Sequence, residues 1–158
     1  KEFDKRKLPS VNYEISMEGR RVEGDDFFCC ITFPYKKTNA TFVLGGWGGS
    51  VCGISSIDFM DAMENSTMSV MDFDKAKWYK VRLIVTENRF QGFVDKKRIV
   101  NVGIKGRKIG MRFGAIEESL PLGISTFQTS GEFKNISMRP LNKKEIAAAK
   151  KLDEEDEF

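Results

Sequence analysis

Apolar and polar side chains alternate with a period of two along much of the chain. Val11, Tyr13, Ile15 and Met17 alternate with Asn12, Glu14, Ser16 and Glu18. This is the pattern of a strand with one face in a core and one in water. Phe27, Cys29, Ile31 and Phe33 form a second apolar row ended by Pro34, and Phe28, Cys30 and Thr32 on the other face are also largely apolar. That strand is expected to be central and covered on both sides. Residues 40–44 predict a third strand and residues 66–71 another. Tyr79, Val81, Leu83 and Val85 alternate with Lys80, Arg82, Ile84 and Thr86, Glu87-Asn88 turns, residues 89–94 run back, and Asp95-Lys96-Lys97 turns into residues 98–102. Three strands on two short turns make a meander. Residues 122–127 and 132–139 predict two closing strands. In the last, Phe133 and Ile136 have opposite parity, so either a bulge resets the register or both faces are covered.

The end of the chain follows a different pattern. Asn142-Lys143-Lys144-Glu145 is a helix start, with a capping side chain followed three residues later by an acid. Residues 146–152 continue as good helix formers, and residues 153–157 are an acidic run expected to be a solvated tail. The chain therefore predicts an all-β domain over residues 8–141. Its architecture is a two-sheet antiparallel sandwich of jelly-roll, concanavalin A-like type, and a short C-terminal helix and acidic tail follow over residues 142–158. A closed barrel is second. The absence of a fixed internal period argues against a propeller or solenoid.

Composition narrows the chemistry. Among the 158 residues there is no histidine. Ser-His-Asp and Cys-His machinery, His-bearing zinc sites and an imidazole pH switch are excluded within it. Acid–base work would fall to carboxylates, Lys, Tyr or Cys. The net charge is +3, with 26 Lys and Arg against 23 Asp and Glu. Removing residues 142–158 leaves 22 against 17, a body at +5, below the excess of a dedicated nucleic-acid binder. The one dense basic stretch, Lys105-Gly106-Arg107-Lys108 with Arg112, has only Phe113 beside it and reads as a solvated turn. No apolar run approaches membrane-spanning length. The chain opens on Lys1 without a visible leader, which fits a trimmed or mature form. Cys29 and Cys30 point to opposite faces of a strand, so at most one of them meets Cys52. The three are read either as small buried apolar residues or as one bridge plus a free thiol.

The most informative segment is residues 45–65. Five of the 14 glycines fall between positions 45 and 53, and Trp47 sits between two glycine pairs. With no bulky neighbours its ring either packs flat beneath a tight turn or is presented to a ligand. The segment lacks the Lys-Ser/Thr that closes a phosphate-binding loop. Asp58, Asp61, Glu64 and Asn65 then follow. Converging from a loop, they suit sugar hydroxyls or a hard cation such as calcium; otherwise they cap turns and face water. Their spacing is not that of an EF-hand loop. A second charged cluster, residues 18–26, joins the first two strands. Its Arg20 and Glu23 offer the donors and acceptors that hydroxyls want, and an exposed hairpin turn with compensating charges fits equally.

The blocks at residues 21–34, 45–65, Trp78-Tyr79-Lys80-Val81-Arg82 and residues 133–141 resemble a bacterial family once called a domain of unknown function and now described as 3-keto-disaccharide hydrolase-like. The family is similar to concanavalin A-like lectins and glucanases and to laminin-G-like jelly rolls. The resemblance covers roughly residues 8–141. It implies two curved sheets, an exported (extracellular or periplasmic) protein, as for many planctomycete members, and fusion to other modules. It supplies no catalytic motif that lays onto these residues. Laminarinase-type glucanases of this fold carry Glu-x-Asp-x-(x)-Glu on one strand, whereas Asp58-x-x-Asp61-x-x-Glu64 does not put three carboxylates on one strand face. A second departure is Asp95-Lys96-Lys97, where relatives favour Asp-Gly.

Three functions fit. First is a carbohydrate-binding module holding a saccharide with Trp47, Asp58, Asp61, Asn65, Arg20 and Glu23. Second is a non-catalytic interaction domain of a larger exported protein. Third is a hydrolase or lyase on 3-keto-glycosides, with Glu23, Asp58 or Asp61 as base. No nucleic-acid partner, membrane insertion or obligatory cofactor is expected, with calcium the one candidate ion.

Overall fold

The computed structural model describes residues 8–157. Among these residues ten strands form two five-stranded sheets, with all pairings antiparallel. They are β1 (Tyr13–Glu23), β2 (Cys29–Tyr35), β3 (Thr38–Gly46), β4 (Val51–Ser55), β5 (Ser69–Val70), β6 (Tyr79–Thr86), β7 (Arg89–Val94), β8 (Lys97–Gly103), β9 (Gly123–Ser125) and β10 (Ser130–Pro140), followed by helix α1 (Lys143–Asp156). The first sheet is ordered β10-β1-β6-β7-β8 and the second β5-β4-β3-β2-β9. The expected sandwich with a short C-terminal helix is the observed architecture.

The core lies between the sheets. Tyr13, Ile15 and Met17 of β1, the odd-numbered row of β6, and Phe90 and Val94 of β7 face Cys29, Ile31 and Phe33 of β2 and Phe42 and Leu44 of β3, all buried. Edge-to-face ring pairs cross the interface: Phe33 on Phe90 at 5.1 Å and Phe73 on Tyr79 at 5.0 Å. The Tyr13 hydroxyl donates to the Pro34 carbonyl of the opposite sheet. Gly92 is required by packing, because a Cβ there would stand 2.6 Å from the Phe42 ring. The three thiols are buried and unbridged. Cys29 and Cys52 belong to the core, and Cys30 lies on the other face of the second sheet.

Several local expectations change. The cluster at residues 18–26 is not a hairpin turn, because β1 runs on to Glu23 and β2 belongs to the other sheet; the segment after Glu23 crosses between layers and Arg21 is buried. Residues 45–65 are not one loop. Gly45 and Gly46 end β3, residues 47–50 turn, and β4 follows. The strand expected at residues 66–71 shrinks to Ser69–Val70, and that at 122–127 to Gly123–Ser125. Pro34 does not end β2, which continues to Tyr35. The parity break in β10 is a bulge. Ser16 pairs with Ser137 and Glu18 with Lys134, so Met17 faces two residues, and Asn135 takes φ 55°. In the turn between β7 and β8, Asp95 takes a positive φ of 52°.

The acidic run is not a free tail. Asn142 and Glu145 form the expected reciprocal cap, and the helix extends through Asp156. Asp153 and Asp156 meet Arg89, which is 1% exposed; Asp153 accepts from its Nε at 2.9 Å, and Asn101 accepts from Nη1 at 2.8 Å. The helix therefore covers part of the first sheet's outer face.

Candidate functional site

The outer face of the second sheet has a floor of small polar side chains. Register puts Thr32 opposite Thr41 and Thr41 opposite Ser55, and puts Cys30 between Val43 and Ser125. Thr32, Thr41, Ser55 and Cys30 are each at most 2% exposed, although they point away from the core. The cover is the connection from β8 to β9, a strap laid across the sheet. Its first anchor is at the β4 edge, where Ile109 bridges to Ile57 and the Ser56 N–H donates to the Gly110 carbonyl at 2.8 Å. Its second is on β2, where Ser119 Oγ and Thr32 Oγ1 share a hydrogen bond of 2.5 Å. Between strap, floor and the β3–β4 turn lies a groove of about 750 Å³, within the range of small-ligand sites.

The β3–β4 turn carries Trp47 into this groove. Trp47, Gly48 and Gly49 have φ of 48°, 91° and 123°, which explains the glycines: only they follow a left-handed residue in this way without strain. The Asp26 carboxylate ties the turn from the side, accepting from the Gly48 N–H at 3.2 Å and from the Phe27 N–H at 2.8 Å. Trp47 is 36% exposed. The Arg112 guanidinium of the strap lies over its ring, 5.8 Å from the centroid, with its Nε 3.6 Å from Asp61. Phe27 and Phe127 stack at 5.9 Å across the mouth, and Phe113 stands almost fully exposed on the strap. Glu118 and Ser125 complete the polar lining.

Of the six residues proposed from sequence, Trp47 lines the groove, and Asp61 reaches it only through Arg112. Asp58 holds the strap's approach: its carboxylate accepts from the Lys108 backbone N–H at 2.8 Å and from Arg107 Nε at 2.5 Å. These two, the backbone bond first, keep its pKa below the usual carboxylate value. Asn65 is buried and fully engaged. It donates to the Ile54 and Met60 carbonyls at 2.7 and 3.0 Å and accepts from the Thr67 N–H and hydroxyl at 2.9 and 2.5 Å. Arg20 is on the first sheet's outer face, paired with Glu132 at 2.9 Å and stacked over Trp78 at 4.7 Å. Glu23 ends β1 in solvent. Asp58, Asp61, Glu64 and Asn65 do not converge, and among the described residues no group of three or more carboxylates or thiols is placed to hold a metal ion.

The groove's other residues were not singled out from sequence. The sequence pattern makes Arg112 and Phe113 part of a solvated turn, places Asp26 only within the charged cluster at residues 18–26, and gives no reason to bring Phe27, Glu118 or Phe127 to a site. One signal was present: Thr32, Thr41 and Ser55 all occupy the face opposite the core row, a polar floor under a covered strand. Cys30 on that floor is not a nucleophile at neutral pH, because burial pushes its thiol up to about 12.

A solved structure of an alginate lyase, AlyC3, resembles the chain at 12% identity and a TM-score of 0.43. The match covers 85% of this chain and 66% of that one, a distance at which the likeness speaks to neither substrate nor site. No family model matches the chain, and no curated protein matches it. Among the described residues no helix is long and apolar enough to cross a membrane.

Proposed function

We propose that the groove binds a saccharide and that the domain is a carbohydrate-recognition module. The observation that carries this is Trp47, a partly exposed ring on a rigid turn beside Arg112 and above a hydroxyl-lined floor. A sugar offers an apolar C–H face and a rim of hydroxyls that both donate and accept. Trp47 suits the face. Arg112 supplies donors, Glu118 supplies acceptors, and the floor hydroxyls do either. The groove has room for a short oligosaccharide.

Binding is preferred to turnover of 3-keto-glycosides because the bases suggested for that reaction lie elsewhere. Asp58 is tied to Arg107 and Lys108, Asp61 stands behind Arg112 without lining the groove, and Glu23 ends β1 in solvent. In this proposal the module works in an exported protein, beside other modules, as in the family its sequence resembles.

Titration calorimetry against a panel of neutral and acidic oligosaccharides tests it. At least one should bind, and Trp47→Ala should weaken that binding about tenfold or more, equivalent to about 1.4 kcal/mol. Absence of binding across the panel, or equal binding by Trp47→Ala, overturns the proposal.

A further inference from the structure

We infer that Arg21 is the positioning residue for Trp47, a buried guanidinium that sets the β3–β4 turn from beneath. The inference rests on the function proposed above and names what fixes the geometry of its platform. Arg21 ends the inward row of β1 and is 5% exposed. A buried cation is normally matched by a carboxylate, yet among the described residues Arg21 has no ion pair.

Backbone oxygens take the carboxylate's place. Nη2 donates to the carbonyls of Asp26, Gly45 and Gly49 at 2.9, 3.3 and 3.1 Å, and Nη1 to that of Phe73 at 3.3 Å. Its Nε finds no partner, so the fork is aimed to satisfy the turn and not itself. Gly45 and Gly49 bracket Trp47, and Asp26 is the residue whose carboxylate holds Gly48. One planar cation on β1 thus joins both ends of the turn to the crossing segment after Glu23. The Phe28 ring, 5.2 Å from the guanidinium carbon, closes the other side.

The fit also explains a glycine. A Cβ at Gly45 would stand 2.6 Å from Nη2, so guanidinium and turn are built against each other. Lysine would not substitute. Its ammonium has three donors at one point, whereas these carbonyls are spread along a fork.

The test reads the ring directly and needs no saccharide. In a Trp78→Phe background Trp47 is the sole tryptophan, and acrylamide quenching of its emission reports its exposure. Because the ring is 36% exposed, freeing the turn should raise the quenching constant about twofold. That rise is expected in Arg21→Met with a cooperative thermal transition retained, and Arg21→Lys should fall between it and the parent. A purely global role for Arg21 would lower the transition and leave Trp47 quenching in the folded state at the parental value, which overturns the inference. Should Arg21→Met fail to fold, Arg21→Lys decides alone: raised quenching supports the assignment and parental quenching overturns it. A groove that binds no sugar would refute the function proposed above, and the quenching result would still stand.

Discussion

The two outer faces of the sandwich are closed by different chemistry. On the first sheet α1 lies over the strands and helps bury a charge: Arg89 meets Asp153, Asp156 and Asn101. Nearby, Glu14 on β1 is matched by Arg82 at 2.9 Å and Arg139 at 3.5 Å. On the second sheet the strap lies over neutral hydroxyls, and charge is confined to the rim, at Asp26, Arg112 and Glu118. A desolvated charge needs a fixed partner, and losing it is costly. A hydroxyl is cheaper to leave partly satisfied and can donate or accept as a neighbour requires. The first face is therefore sealed, while exchanging an internal bond for one to a ligand costs less on the second, which is where the proposed groove lies.

The largest test of this contrast removes the partners of Arg89. Asp153→Ala with Asp156→Ala leaves a buried guanidinium with Asn101 alone, and should lower unfolding free energy by about 3 kcal/mol in urea titrations. Trp47 emission should not change, since the groove is on the opposite face. Adding Arg89→Met should recover part of the loss by removing the stranded charge. A loss below about 1 kcal/mol would mean that Arg89 simply rehydrates and that this face is no better sealed than the other.

The neutral face should respond less. Thr32→Val keeps the side-chain shape and removes the bond to Ser119, whose hydroxyl retains the Ile116 carbonyl as acceptor at 2.5 Å. The expected cost is about 1 kcal/mol, the net worth of an uncharged hydrogen bond. Hydrogen exchange should show the strap opening more often while α1 is unaffected. A cost as large as that of the Asp153 and Asp156 double variant would erase the distinction between the faces.

The same contrast explains what could be read from the sequence. Strands such as β1 and β6 were legible because one face is wet and the other dry, and a period of two is all that requires. The helix cap at Asn142 was legible because it is local. Periodicity does not say which sheet a strand joins, so the crossing after Glu23 looked like a hairpin. The acidic run is largely solvated, as its pattern suggests, but its anchoring was invisible because its partner, Arg89, lies 64 residues away in sequence from Asp153. At the groove, Trp47 was visible through its glycines. Asp58 and Asn65 brace the strap and the β4–β5 connection; groups that bind sugars are also the ones that brace loops, and only three-dimensional neighbours separate the two uses. Arg112 and Phe127 could not be placed, since no local pattern brings residues 112 and 127 to residue 47.

The smallest expected effect concerns how α1 is held at its first turn, and here the sign with pH follows from the geometry. Glu145 takes two hydrogen bonds from Arg139, at 2.9 and 2.7 Å, and one from the Asn142 N–H at 3.0 Å. These contacts, Arg139 foremost, bring its pKa down from 4.5 to about 2. A carboxyl lowered on folding adds stability above its unfolded pKa and loses it as pH falls through the folded value. The contribution is therefore whole above pH 4.5 and fades between 4.5 and about 2. Because the pair is exposed, it should be small and weaken further in salt. Glu145→Gln keeps a side chain that can cap Asn142 but has no charge. The difference in thermal midpoint between parent and variant should be present at pH 6 and shrink steadily below pH 4.5. A difference that stays constant down to pH 2 would show that the helix start is held by its cap and not by charge, leaving the Arg89 cluster to tie α1 to the sheet.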